Sequence, residues 1–89
     1  MIVKIDKSFE RDIQRIVDKN LLNAIAECIE NIRIVQRLNE IPNCKKLRGS
    51  KNAYRIRLGN YRIGFVFEQG AIELIRFLHR DTIYDQFPD

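Results

Sequence analysis

The chain offers little for metal or thiol chemistry: two cysteines, Cys28 and Cys44, and one histidine, His79, among 89 residues. It has no Cys-x-x-Cys pair and no Cys/His cluster, which excludes the usual zinc sites, and no metal or cofactor is expected. Cys28 falls on an apolar helical stripe and reads as a packing residue, while Cys44 falls in a loop. A reducing cytosol disfavours a disulfide between them. No apolar run approaches the roughly 20 residues of a membrane span, so no membrane partner is expected. The opening residues, Met1-Ile2-Val3-Lys4-Ile5-Asp6, lack the charged-then-apolar layout of a secretion signal, and the expected location is the cytoplasm. With no linker, repeat or low-complexity stretch, residues 1–89 read as one domain. One further absence is local. Between Ile41 and Phe67, a window of 27 residues, there is no Asp or Glu.

What is present divides the chain by period. Ile2-Val3-Lys4-Ile5 is a short β-branched strand, and Asp6-Lys7-Ser8 supplies oxygens that can cap a helix. Phe9, Ile13, Ile16 and Val17 follow at helical spacing, and Asp18-Lys19-Asn20 breaks the pattern. A second apolar stripe, Leu22, Ile25, Ile29 and Ile32 widened by Leu21, Cys28 and Val35, predicts a longer helix over roughly residues 21–38. Two helices joined by a short loop should form an antiparallel pair. Pro42 ends the helical half.

From Tyr54 the period becomes two. Tyr54, Ile56 and Leu58 alternate with Arg55 and Arg57, and Gly59-Asn60 is a hairpin signal with glycine first, as a type II′ turn prefers. Tyr61, Ile63, Phe65 and Phe67 carry the return strand, and Gln69-Gly70 marks a second turn. Ala71 to Leu78 is apolar on both faces except at Glu73 and Arg76, which predicts a strand inside the sheet. Arg80 to Asp89 reads as a polar tail with one short helical turn. The expected fold is α+β: an N-terminal strand at the sheet edge, two helices, then a three-stranded antiparallel meander covered on one face by the helices. The other face is left free.

Charge is segregated on that free face. Overall there are 16 Lys and Arg against 12 Asp and Glu, a net charge of +4, which permits a polyanionic partner without requiring one. The acid-free window holds seven basic residues: Lys45, Lys46, Arg48, Lys51, Arg55, Arg57 and Arg62. Alternation puts Arg55 and Arg57 on one side, and Arg62 can reach that side from the neighbouring strand. Like charges on adjacent strands repel, so their grouping without carboxylates points to an anionic ligand, and arginine suits bidentate phosphate contact. The plainer reading is a solvated strand face whose charges block edge aggregation.

Lys46-Leu47-Arg48-Gly49, Tyr54 to Ile63 with its Gly-Asn-Tyr-Arg hairpin, His79-Arg80 and Ile83-Tyr84 together resemble the RelE/ParE superfamily of bacterial and archaeal toxins. The order of elements fits over nearly the whole chain. The resemblance implies a RelE-like toxin of a type II toxin–antitoxin system: an endoribonuclease that cuts mRNA in the ribosomal A site of a 70S-type ribosome and is held in a hetero-oligomer by a cognate antitoxin. It implies that Arg55, Arg57, Arg62 and Arg80 bind the phosphate and stabilise the transition state, with Tyr84 activating the 2′-hydroxyl or stacking on a base. Lys45, Lys46, Arg48 and Lys51 would contact the RNA. Attack by the ribose 2′-hydroxyl places the nucleophile in the substrate, so neither a Ser or Cys nucleophile nor a metal is needed, and fixed guanidinium groups stabilise the rising phosphate charge. Arginine stays protonated, so proton transfer falls to Tyr84 or His79. A strand-end histidine satisfied by backbone is the plainer reading of His79. Glu68 and Glu73 are weaker candidates for a base, and Tyr54 and Tyr61 read as packing residues. The alternative within the superfamily is a ParE-like inhibitor of DNA gyrase without nuclease activity.

Overall fold

The computed structural model describes residues 1–88; Asp89, the last residue of the expected tail, lies outside them. Its elements are β1 (Ile2–Ile5), α1 (Lys7–Gln14), α2 (Lys19–Ile34), a 3-10 turn (Leu38–Glu40), β2 (Cys44–Lys46), β3 (Ala53–Leu58), β4 (Tyr61–Glu68), β5 (Ala71–His79) and α3 (Ile83–Gln86). The strands form one mixed sheet in the order β1-β5-β4-β3-β2. β1 runs parallel to β5, and the other neighbours are antiparallel.

Local chemistry sets the helix ends. The Asp6 carboxylate accepts the Ser8 N–H at 3.0 Å and opens α1. The Ser8 hydroxyl, within hydrogen-bond distance of the same carboxylate, and the Ser8 N–H together hold the Asp6 carboxyl below its ordinary range. Asp18 accepts the N–H groups of Asn20 at 2.9 Å and Leu21 at 3.3 Å, so the residues expected to break the pattern are in fact the cap that starts α2. Val17, placed by its spacing on the first apolar stripe, lies beyond α1 in the connection and is 89% exposed. α2 also stops short of the expected residue 38. One Glu40 carboxylate oxygen takes the N–H groups of Gln36 (3.0 Å) and Arg37 (2.8 Å), and this competing acceptor closes a 3-10 turn where helix was predicted.

Both helices cover one face of the sheet. Phe9 of α1 and Ile25 and Ile32 of α2 join Ile56, Ile63, Phe65, Ile72, Leu74 and Phe77 in the main core. Tyr54 stacks on Phe65 and Tyr61 on Phe77, with ring centroids 5.2 and 5.0 Å apart. β1 pairs only with residues 71–74 of β5, and α1 supplies polar partners to the edge that continues beyond it. The Ser8 hydroxyl donates to the Ile75 carbonyl, and the buried Asp12 carboxylate accepts the Phe77 N–H at 2.9 Å. The same carboxylate holds Arg76 through Nε at 2.8 Å and Nη2 at 3.2 Å. Between β4 and β5 the register shifts: Gly64 faces Arg76, but Phe65 faces Leu74, leaving Ile75 as a bulge.

The second face is not entirely free. Ile83 and Phe87, spaced one helical turn apart, are buried there with Ala53, and Leu47, Val66, Ile75 and Leu78 pack around them. The tail expected to be polar therefore carries a second, smaller core. Cys44 was also expected in a loop. It instead begins the short edge strand β2, opposite Ile56.

Candidate functional site

The open part of the second face is built by strand register. Lys45 of β2 faces Arg55 of β3, Arg55 faces Gly64 of β4, and Gly64 faces Arg76 of β5. One row further along, Arg57 faces Arg62, which faces Leu78. Directly opposed residues of an antiparallel pair share a face. The arginines thus lie on the side of Ala53, Val66 and Leu78, away from the two long helices.

After β2 the chain turns through residues 47–52. Leu47 N–H donates to the Ala53 carbonyl at 2.9 Å, and Ser50 Oγ accepts the Ala53 N–H at 3.0 Å. This loop, β2, β3 and α3 enclose a cleft of about 520 Å³ lined by Lys45, Lys46, Leu47, Arg48, Gly49, Ser50, Arg55 and Tyr84. Four of the eight lining residues are cationic and none is acidic. Arg55 is anchored by donating from Nη1 to the Asn43 carbonyl at 2.8 Å. Tyr84 is 54% exposed and lines the cleft. Concentrated positive charge of this kind attracts a polyanion, and the phenol adds a surface for stacking.

The other predicted residues gather elsewhere. Arg62 turns back on the hairpin, donating from Nη1 to the carbonyls of Gly59 and Tyr61, both at 2.9 Å. Gly59 has φ 62° and Asn60 is not among the residues of positive φ, as the predicted type II′ turn requires. The Arg80 N–H donates to the Asn60 carbonyl at 2.8 Å, and its exposed guanidinium lies 3.9 Å from Asp81. Arg57, Arg62 and Arg80 thus flank the hairpin tip, beside the cleft rather than in it. Lys51 is exposed on the adjoining loop and does not line the cleft. Among the described residues no group of three or more His, Cys, Asp or Glu is placed to hold a metal, and no helix is long and apolar enough to cross a membrane.

His79 is not brought to the arginine cluster. It faces Tyr61 across the strands, and its ring meets that tyrosine edge-on at 5.5 Å, on the side of Phe77 and the main core. Its Nδ1 accepts the Asp81 N–H at 3.1 Å, a local backbone partner. β5 ends at His79, and Arg80 next to it in sequence already belongs to the turn at the hairpin tip. Reading the residues singly also missed Leu47, Gly49 and Ser50 as cleft lining. The signal for Leu47 and Gly49 was their place in the Lys46-Leu47-Arg48-Gly49 stretch that carries the family resemblance; for Ser50 it was position in the acid-free window.

The family model described as the ParE toxin of the type II toxin–antitoxin system, parDE, matches residues 3–84. The chain belongs to this toxin family. The toxin is 39% identical over 89 residues to Toxin RelE3 of Methanocaldococcus jannaschii, an alignment spanning 99% of this chain and 100% of the other. It superposes with a TM-score of 0.81 on a chain from the RelB-RelE antitoxin–toxin complex of Methanococcus jannaschii, at 36% identity, covering 96% of this chain and 99% of that one. A chain from the archaeal RelE-RelB complex of Pyrococcus horikoshii OT3 matches with a TM-score of 0.71 at 23% identity, covering 92% and 97%, a likeness of fold. The protein is therefore a type II toxin of the RelE/ParE superfamily, with the α+β architecture of RelE-like structures.

Proposed function

We propose that this toxin is a RelE-like endoribonuclease that cleaves mRNA in the ribosomal A site by attack of the substrate's own 2′-hydroxyl. The observation that carries the reading is the acid-free cleft in which Lys45, Lys46, Arg48, Arg55 and Tyr84 meet. Full-length identity of 39% to a toxin named RelE supports it.

In this reading Arg55 binds the scissile phosphate, and Lys45, Lys46 and Arg48 hold the RNA backbone. As the 2′-oxygen gives up its proton and bonds to phosphorus, the bond to the 5′-oxygen breaks and that oxygen takes up a proton, leaving a 2′,3′-cyclic phosphate and a 5′-hydroxyl end. Negative charge rises on the phosphoryl oxygens, where fixed guanidinium groups stabilise it. Arg57, Arg62 and Arg80 at the hairpin tip, with Lys51 on the adjoining loop, receive the flanking RNA. The arginines cannot accept a proton, so the phenol of Tyr84 activates the 2′-hydroxyl or stacks on the neighbouring base, and His79, half-exposed at the strand end, is the other group able to transfer a proton. A cognate antitoxin holds the toxin in a hetero-oligomer; solved relatives are complexes of RelE with RelB.

A second reading rests on the family model, whose description is that of ParE. A ParE-like toxin would act on DNA gyrase and cut no RNA. Induction of the toxin in cells, with mapping of mRNA 5′ ends and of gyrase-dependent DNA breaks, separates the two. New 5′ ends within translated codons, lost in Arg55→Ala and Tyr84→Phe, support the endonuclease. DNA breaks without new 5′ ends sink it.

A further inference from the structure

The row that crosses the sheet at the cleft carries a basic side chain on three strands and a glycine on the fourth: Lys45, Arg55, Gly64, Arg76. The gap at Gly64 is filled from α3. A Cβ added to Gly64 would lie 2.5 Å from Cδ2, 2.8 Å from Cε2 and 2.9 Å from Cγ of Phe87. Real carbon neighbours do not approach so closely, so the phenyl ring rests on the bare backbone of β4. Gly64 has an ordinary negative φ; the glycine is required by space and not by backbone conformation.

This seat places Tyr84. α3 has only four residues, and Thr82 before it makes no side-chain cap bond. A single helical turn does not hold itself together in water. Its position is set mainly by two buried anchors, Ile83, fully buried, and Phe87, 3% exposed, with one further bond from Arg76 Nη1 to Gln86 Oε1 at 3.5 Å. Their spacing of one turn faces both inward and leaves the intervening Tyr84 outward, at the cleft wall. The ring of Phe87 also occupies the position beside Arg55, between it and Arg76, whose guanidinium is drawn toward Asp12. Leu47, which lines the cleft, packs in the same small core.

We infer that Gly64 and Phe87 are positioning residues, a socket and plug that fix Tyr84 against Arg55 across the cleft. The consequence for rate rests on the endonuclease reading above; the placement itself does not.

The test is Gly64→Ala in the purified toxin, with tyrosine rings labelled for NMR and Tyr84 assigned from Tyr84→Phe. The expected result is a folded protein by circular dichroism whose Tyr84 ring resonances move while those of Tyr54, on the opposite face, stay. With translated mRNA as substrate, kcat falls about tenfold or more and KM changes by less than about threefold, because misplacement acts in the transition state. Gly64→Ala/Phe87→Leu, which trims the plug to admit the methyl group, returns the Tyr84 resonances and most of kcat. Unmoved Tyr84 resonances in Gly64→Ala, or a double variant no better than the single one, overturn the inference. Phe87→Leu alone decides the matter should Gly64→Ala fail to fold: Tyr84 must shift there too, and an unchanged ring refutes the socket. A wild-type toxin that cuts no mRNA counts against the endonuclease, and the resonance arm still decides the placement.

Discussion

Replacing Asp12 should cost more than any other single polar change on α1. The carboxylate is 6% exposed and accepts three bonds at once: Arg76 Nε at 2.8 Å, Arg76 Nη2 at 3.2 Å and the Phe77 N–H at 2.9 Å. Asp12→Ala leaves a buried backbone donor without a partner, about 1–3 kcal/mol. It also removes the carboxylate facing Arg76. Breaking a buried ion pair costs about 3–5 kcal/mol. Arg76 is 23% exposed, so water can recover part of that loss. The two effects overlap, and about 2–4 kcal/mol is expected in all. In urea, with a slope near 1 kcal/mol per M for a chain of this size, the midpoint falls by about 2–4 M. Asp12→Asn keeps an acceptor for Phe77 and should lose about half as much. Arg76→Met together with Asp12→Ala should cost less than the sum of the single changes, because neither partner is then left behind. Urea titration followed by circular dichroism measures the wild type, Asp12→Ala, Asp12→Asn, Arg76→Met and the double variant. Asp12→Ala within about 1 kcal/mol of the wild type would refute the reasoning, since no acceptor loss at a buried strand edge is that small.

Three further outcomes are expected. Gln69 sits at φ 51° in the turn between β4 and β5, where a side chain is strained, so Gln69→Gly should raise the unfolding free energy by about 0.5–1 kcal/mol, measured in the same titration. Burial, opposed by the nearby Arg55 guanidinium, pushes the Cys44 thiol up to about 11 from an ordinary 9.0. The neutral thiol is favoured in the folded state, so its contribution is intact below pH 9 and lost as pH rises toward 11; wild type should lose stability over that range relative to Cys44→Ala, and equal pH dependence would contradict the burial account. Lys46→Ala should weaken binding of single-stranded RNA with little regard to sequence and lower the log–log salt slope by about 0.7, read from filter binding at several salt concentrations.

Much of the architecture was legible because it depends on local pattern. A period of 3.6 marked α1 and α2, a period of two marked β3 and β4, and Gly59-Asn60 marked their turn. Alternation alone put Arg55 and Arg57 on one face. What failed did so where a distant or competing group intervened. α2 goes no further than its cap at Val35 because Glu40 captures the N–H groups of Gln36 and Arg37, and β2 exists because Cys44–Lys46 finds a partner edge in β3. Neither is a property of the residues that change state.

The residues by themselves determined that one stretch would be basic, alternating and without carboxylates. Those are facts of order along the chain, and a strand's geometry converts them into a charged face whatever lies beside it. Which charges meet was decided only by the tertiary structure. Register and a bulge at Ile75 set Arg55 against Gly64, put the half-exposed His79 beside Tyr61 and left the plug position to Phe87 from the chain's end. Separation in sequence carries no information about such pairings. They follow from how strands align and from the space a missing side chain leaves.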